Sequence, residues 1–186
     1  MPFTKTDFNG LYIFEPLIFE DERGYFYESY NERIFQQNNI NIKFVQDNQS
    51  FSVYGVVRGL HYQLEPYAQS KLVRVLSGKV LDIIVDIRKG SPTYGIWGSF
   101  ELSADNKKQL FIPKGFAHGF SVLSETAEVV YKCDSFYNKE SESGIIYNDP
   151  SLKIDWKIPV DRIRISPKDL QLPAFKDSKT NFEFNG

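Results

Sequence analysis

The sequence predicts an all-β fold, a sandwich or barrel with short peripheral helices, and three observations carry that reading. Short runs rich in β-branched and aromatic residues recur along the chain. Turn signals such as Ser77-Gly78 and Lys89-Gly90-Ser91-Pro92 separate several of them. One run, 80–87, alternates with a period of two. Many short strands must each bury a face against a second sheet, which sandwiches and barrels achieve. A chain of 186 residues suits one domain with a substantial core, and no repeat, linker or low-complexity stretch divides residues 1–186.

The elements follow in order. Residues 11–15 read as a strand ended by Pro16, and Leu17-Ile18-Phe19 leads into a turn over 20–24, with a third run over 25–30. Asn31 caps a short helix over 32–37, closed by Asn38-Asn39. Further β-rich runs occupy 44–48, 56–62, 70–76, 79–87, 97–102, 109–113, 120–123 and 127–137. Within 80–87, Leu81, Ile83, Val85 and Ile87 share one face, while Val80, Asp82, Ile84 and Asp86 share the other. The face with two acids is expected to meet solvent or a polar cavity, because unpaired buried carboxylates are costly. Beyond residue 149 the chain turns to Pro-rich loops and a tail expected to wrap the barrel.

Charge is nearly balanced, 22 Lys and Arg against 24 Asp and Glu, so no overall field favours nucleic acid. Aromatic residues make up 16% of the chain, which suits strands and pockets that stack on flat ligands. Cys133 is the single cysteine and cannot form an internal bridge. The first residues lack the apolar stretch of a signal peptide, and no apolar run is long enough to cross a bilayer. The expectation is a soluble cytoplasmic protein with no membrane partner.

Two histidines concentrate the chemistry. His61 lies in Arg58-Gly59-Leu60-His61-Tyr62-Gln63 and His118 in Pro113-Lys114-Gly115-Phe116-Ala117-His118. The second segment has the Pro-x-Gly-x-x-His form found in metal-binding small barrels of the cupin type. Those barrels usually supply a His-x-His pair from the first motif, where this chain reads His61-Tyr62-Gln63. Two imidazoles fall short of the three or more ligands a zinc or iron site needs, so metal-free proton transfer is expected.

A histidine acting as base needs an acceptor to set its tautomer. Asp169, after Ser166-Pro167-Lys168, is a candidate, although an aspartate there commonly caps a turn. Lys71 reads either as a solvated strand-end lysine or as an ammonium aimed at an enolate oxygen. Tyr131 alternates with Val129 and Cys133 on one strand face and could line a barrel or donate a proton. Arg23, Glu28, Gln46, Asn48, Arg58 and Glu142 are polar residues on or beside predicted strands. Arg58 and His61 are three apart, so regular pleating sets them on opposite faces. If both face one cavity, Gly59 must mark a bulge or bend.

With these motifs in hand, the chain resembles the dTDP-4-dehydrorhamnose 3,5-epimerases nearly end to end. The resemblance rests on Asp21-Glu22-Arg23-Gly24-Tyr25-Phe26, the Arg58 to Gln63 motif, Gly78-Lys79-Val80-Leu81-Asp82, Pro113 through Phe120, Tyr131-Lys132-Cys133 and Asn148-Asp149-Pro150. It implies a dimeric cupin-type jelly roll that needs no cofactor and acts on a dTDP-4-keto-6-deoxyhexose. It further implies His61 with Asp169 as base, Tyr131 as acid and Lys71 as enolate stabiliser. Arg23, Glu28, Gln46, Asn48, Arg58, His118, Glu142 and Lys168 would hold nucleotide and sugar. Three rivals stand beside this reading: an epimerase of a single carbon, a sugar-nucleotide-binding module without catalysis, and a metal-dependent cupin.

Overall fold

Thirteen strands and one short helix account for most of the regular structure in a computed structural model that describes residues 3–184. One antiparallel sheet runs in the order β1 (Phe3–Lys5), β2 (Tyr12–Phe14), β10 (Gln109–Ile112), β7 (Lys71–Ser77), β12 (Thr126–Cys133), β5 (Gln46–Val53). The second runs β13 (Glu142–Gly144), β6 (Val57–Gln63), β11 (Phe116–Val122), β8 (Lys79–Asp86), β9 (Trp97–Ser103). A separate hairpin joins β3 (Phe19–Asp21) to β4 (Gly24–Phe26). The two large sheets pack as a jelly-roll-like sandwich.

Three apolar layers organise it. Between the sheets, Val73, Val75, Val80, Ile84, Leu110, Val122 and Val129 form the central core. Outside the six-stranded sheet, Phe14, Phe35, Ile40, Leu72 and Phe111 pack beneath the helix α1 (Glu32–Gln37). Phe35 is wholly buried among the rings of Phe3, Phe14, Tyr30, Phe44 and Phe111. Emptying such a site to alanine typically costs about 3–5 kcal/mol. Six residues make a poor helix in isolation, so this packing holds α1 in place. Asn31 caps it, its Oδ1 accepting from the Arg33 N–H at 3.1 Å, and Asn39 leaves it at φ +62°.

Outside the five-stranded sheet, Leu81, Ile83, Val85 and Ile87 pack against Leu152, Trp156 and Phe182 from the C-terminal part of the chain. The tail is tied down along its length: Ile146 N–H donates to Pro173 O, Phe175 N–H to Asp149 Oδ2, and Lys89 N–H to Phe182 O. It therefore wraps the sandwich as expected.

Several expectations need correction. The acid-bearing face of β8 meets neither solvent nor an open cavity, because the opposite sheet covers it and both carboxylates are fully buried. Each is compensated by partners. Asp82 Oδ2 bonds His118 Nε2 at 2.9 Å, and Asp86 accepts from Arg88, Ser91 and Thr93. The expected turn over 20–24 is narrower, since β3 and β4 run into it and only Glu22 and Arg23 connect them. The strand at 44–48 is shifted, as β5 spans Gln46–Val53. β11 begins at Phe116 rather than 120. β12 ends at Cys133 rather than 137, where Asp134 Oδ1 turns to accept the Ser70 N–H at 2.6 Å. β1 and β13 were not expected at all.

Candidate active site

A cavity of about 550 Å³ opens between the two sheets at the end not filled by the central core. That volume lies in the range of ordinary small-molecule sites. β6 and β11 build one wall, β5, β7 and β12 the other, and residues 164–169 of the tail close the rim.

Gly59 shapes the first wall. Its φ is +114°, and a Cβ there would lie 2.6 Å from Gly119 Cα and 2.7 Å from His118 O. The register slips at this point: His118 faces His61, but Phe120 faces Arg58. One residue of β11 thus opposes two of β6, a bulge that turns Arg58 and His61 to the same cavity. The opposite residue is also constrained, since a Cβ on Gly119 would come within 2.5 Å of Arg58 O.

His61 Nε2 lies 2.9 Å from Asp169 Oδ1. Asp169 Oδ2 accepts the Gly59 N–H at 3.2 Å, while the Asp169 N–H donates to Ser166 Oγ at 3.1 Å. The Asp169 carboxylate makes no cap bond to the short 3₁₀ turn Asp169–Gln171 and is left to the imidazole and the Gly59 N–H. Burial alone would raise the Asp169 pKa, but the bonds from His61, Gly59 and Ser166 hold it below the usual range. An ionised carboxylate only accepts, so in the neutral imidazole Nε2 carries the proton and Nδ1 the lone pair.

The facing wall supplies Lys71 and Tyr131. The alternation on β12 sets Tyr131, Val129 and Cys133 inward, as the sequence suggested. Burial raises the Tyr131 pKa and so keeps the phenol protonated. Burial also lowers the pKa of Lys71, with Asp82 and Glu142 acting against it. The Lys71 Nζ sits 5.7 Å from the centre of the Tyr131 ring. Deeper in the first wall, burial lowers the pKa of His118 against the opposing pull of Asp82. Its imidazole is thereby kept neutral near pH 7.

At the mouth, Glu142 accepts from Lys168 Nζ at 2.7 Å and from Tyr137 Oη at 2.8 Å. Burial pushes its pKa up, and these two partners more than offset that. Of the residues the sequence singled out, His61, Lys71, Tyr131, Asp169, Arg58, His118, Glu142 and Lys168 all border this one cavity. Gln46 and Asn48 do not line it, although they share the inward face of β5 with Ser50, which does. Gln46 Oε1 accepts the Tyr137 N–H at 3.0 Å, and Asn48 Nδ2 lies 3.6 Å from Cys133 Sγ.

Arg23 and Glu28 lie elsewhere. Arg23 projects from the β3–β4 hairpin and pairs with Asp21, and Glu28 is bonded by Asn31 beside α1. Sequence reasoning passed over Arg164, Tyr137 and Gln69, which also line the cavity. Among the described residues, no three His, Cys, Asp or Glu side chains cluster as a metal ion would require.

Known proteins resemble this chain closely in both sequence and fold. The family model for dTDP-4-dehydrorhamnose 3,5-epimerase matches residues 5–177. The dTDP-4-dehydrorhamnose 3,5-epimerase of Shigella flexneri is 54% identical over 175 residues, covering 94% of this chain and 96% of that one. The crystal structure of the enzyme of that name from Elizabethkingia anophelis is 56% identical, with a TM-score of 0.90 over 94% of this chain and 96% of that chain. A Legionella pneumophila 3,5-epimerase solved in complex with dTDP-4-keto-L-rhamnose is 50% identical, with a TM-score of 0.88 over 92% of this chain and 91% of that chain. Sequence and architecture thus agree along almost the whole length, and this chain belongs to the dTDP-4-dehydrorhamnose 3,5-epimerase family.

Proposed function

We propose that the chain converts dTDP-4-keto-6-deoxy-D-glucose to dTDP-4-keto-L-rhamnose by inverting C3 and C5, with no cofactor. One observation carries the reading: His61 with Asp169 and the Tyr131 phenol stand on opposite sheets of one cavity. Inversion demands that a proton leave one face of the sugar ring and return to the other. A base and an acid on facing walls meet that demand.

The C4 ketone acidifies the C–H bonds on either side, provided the enolate is stabilised. His61 Nδ1 takes the proton, and Asp169 steadies the imidazolium that results. Lys71 supplies positive charge to the enolate oxygen, where one preorganised donor is worth roughly 2.7–4 kcal/mol. Tyr131, held protonated, gives a proton back from the far side. His118 holds the sugar within the pocket, and Arg58, Glu142 and Lys168 hold the nucleotide and sugar toward the mouth.

We also assign the protein to the cytoplasm as a homodimer. Arg23 and Glu28 would then serve the nucleotide site of the partner copy, since they lie outside their own cavity. The β3–β4 hairpin supports this: Phe19, Tyr25 and Phe26 are each well over half exposed, an unusual apolar concentration for a free surface.

The test is incubation with the 4-keto-6-deoxyglucose nucleotide in heavy water, reading label by position and product by NMR. Deuterium at both C3 and C5, with activity retained in a chelator, is the expected result. Label at one carbon only would identify a single-carbon epimerase. Tight dTDP binding without exchange would make the chain a binding module, and loss of activity on chelation would make it a metal enzyme.

A further inference from the structure

We propose that Arg164 is a second diphosphate-binding arginine of this chain, gripping the phosphates of the nucleotide together with Arg58 at the mouth of the cavity. The inference rests on the nucleotide-sugar reading above and extends it to a residue that reading does not use.

Charge on the cavity wall departs from that of the whole chain. The lining carries four cations, Arg58, Lys71, Arg164 and Lys168, against two carboxylates, Glu142 and Asp169, whereas the protein as a whole has a net charge of −2. A cavity of that sign in a slightly acidic protein concentrates anions. The four cations are not equivalent. Lys71 is buried at the inner end, and Lys168 is already neutralised by Glu142 at 2.7 Å. Among the described residues, Arg58 and Arg164 are in no ion pair.

The backbone places Arg58 and Arg164 on adjacent segments of the cavity wall. Residues 163–165 run parallel to the start of β6: Arg164 bridges Val56, its N–H donates to Gly55 O at 2.8 Å, and its O accepts the Val57 N–H at 3.0 Å. Ile163 and Ile165 pack against the outer core, and the alternation of an extended segment turns Arg164 the other way. Arg58, two residues beyond Val56, is oriented by Ser52, whose Oγ accepts from Nε at 3.1 Å. Its Nη2 also donates to Phe51 O, at 3.5 Å, which leaves Nη1 without a partner among the described residues, and the Arg164 side chain makes no hydrogen bond among them. Two planar forks on exposed residues of the cavity wall, with Lys71 and His118 buried deeper in it, suit a diphosphate outside and a sugar within.

The experiment compares wild type with Arg164→Ala and Arg164→Lys. Both backbone hydrogen bonds survive these changes, and the side chain is exposed. Calorimetry with dTDP and with thymidine, which lacks the phosphates, separates diphosphate contacts from base contacts. Arg164→Ala is expected to weaken dTDP about tenfold and leave thymidine unchanged. It is expected to raise KM by a similar factor with kcat within about twofold, the pattern of lost uniform binding. Arg164→Lys is expected to recover part of the loss. The dTDP affinity of the wild type is expected to fall more steeply with salt than that of the alanine variant. Equal dTDP affinity in wild type and Arg164→Ala would overturn the assignment and leave Arg164 an ordinary solvated arginine. A wild type that fails to bind dTDP would instead overturn the nucleotide-sugar reading itself.

Discussion

Replacing Asp169 with asparagine changes one atom and should disable the base without disturbing the fold. The carboxylate has two fixed partners, His61 Nε2 on Oδ1 at 2.9 Å and the Gly59 N–H on Oδ2 at 3.2 Å. An asparagine has one acceptor and one donor to offer them. Gly59 can only donate, so the amide oxygen must turn to it and the NH2 group to His61. That NH2 then donates to Nε2, which reverses the tautomer: the ring proton moves to Nδ1, the nitrogen that faces the substrate. A protonated Nδ1 cannot remove a proton from carbon. General base participation contributes about 10²–10⁴-fold, so kcat is expected to drop by that factor, about 2.7–5.4 kcal/mol in barrier. The assay is single-turnover product formation, with deuterium uptake at C3 and C5 measured in parallel. Binding of dTDP should stay within about twofold, because Asp169 serves the sugar end of the cavity. An asparagine variant within threefold of wild-type kcat would refute the tautomer argument.

Lys71→Met should raise the thermal midpoint while abolishing turnover. Burial lowers the Lys71 pKa, so at neutral pH the folded state holds its ammonium at a cost that is present below the folded pKa. Removing that charge relieves the cost, and each kcal/mol gained moves Tm by about 2–4 °C in a chain of this size; a fall in Tm would contradict the argument. Gly59→Ala, at φ +114° and 2.6 Å from Gly119 Cα, should destabilise by well over about 1 kcal/mol, read as a shifted urea midpoint. His118 has its pKa depressed by burial, so its contribution to stability is whole above its unfolded value of about 6.5. It is lost as pH falls from there through the folded value, and His118→Gln should flatten that part of a Tm–pH profile. Asp86 and Asp169, also depressed, add their losses only below about pH 4.

The parts of the fold legible in the sequence are those where local chemistry and tertiary packing agree. The helix over 32–37 has its bounds because Asn31 caps it and Asn38-Asn39 ends it, signals contained within a few residues. The bend at Gly59 was legible because Arg58 and His61 could share a cavity only if the pleat broke between them. β5 was misplaced for a physical reason. Its inward residues, Gln46, Asn48, Ser50 and Ser52, are polar because part of that face borders a wet cavity, and its outward Phe51 is exposed, so the usual inside–outside pattern is inverted. β11 extends further toward the N-terminus than the run expected over 120–123. Gly119 is mid-strand, required by its close approach to β6. The burial of Asp82 was illegible because its partner is far along the chain, His118 lying 36 residues beyond it, whereas the partners of Asp86 are local.

Arg164 escaped notice because nothing local distinguishes an exposed arginine between two isoleucines. Tyr131, His118 and Lys71 are distinguished instead by burial, which acts on each in the same sense, favouring its uncharged form. For Tyr131 that means a phenol that keeps its proton, and for His118 an imidazole that stays neutral. For Lys71 the same pressure is a cost, because an enolate needs the ammonium. Asp82 answers it: its Oδ2 holds His118, its buried Oδ1 has no hydrogen-bond partner among the described residues, and the carboxylate's charge raises the Lys71 pKa. The face of β8 that looked anomalous for carrying an acid into the core therefore has a use there. Asp82→Asn should lower the Lys71 pKa further and move the alkaline limb of the kcat–pH profile toward neutrality, and an unmoved limb would separate Asp82 from the lysine's charge.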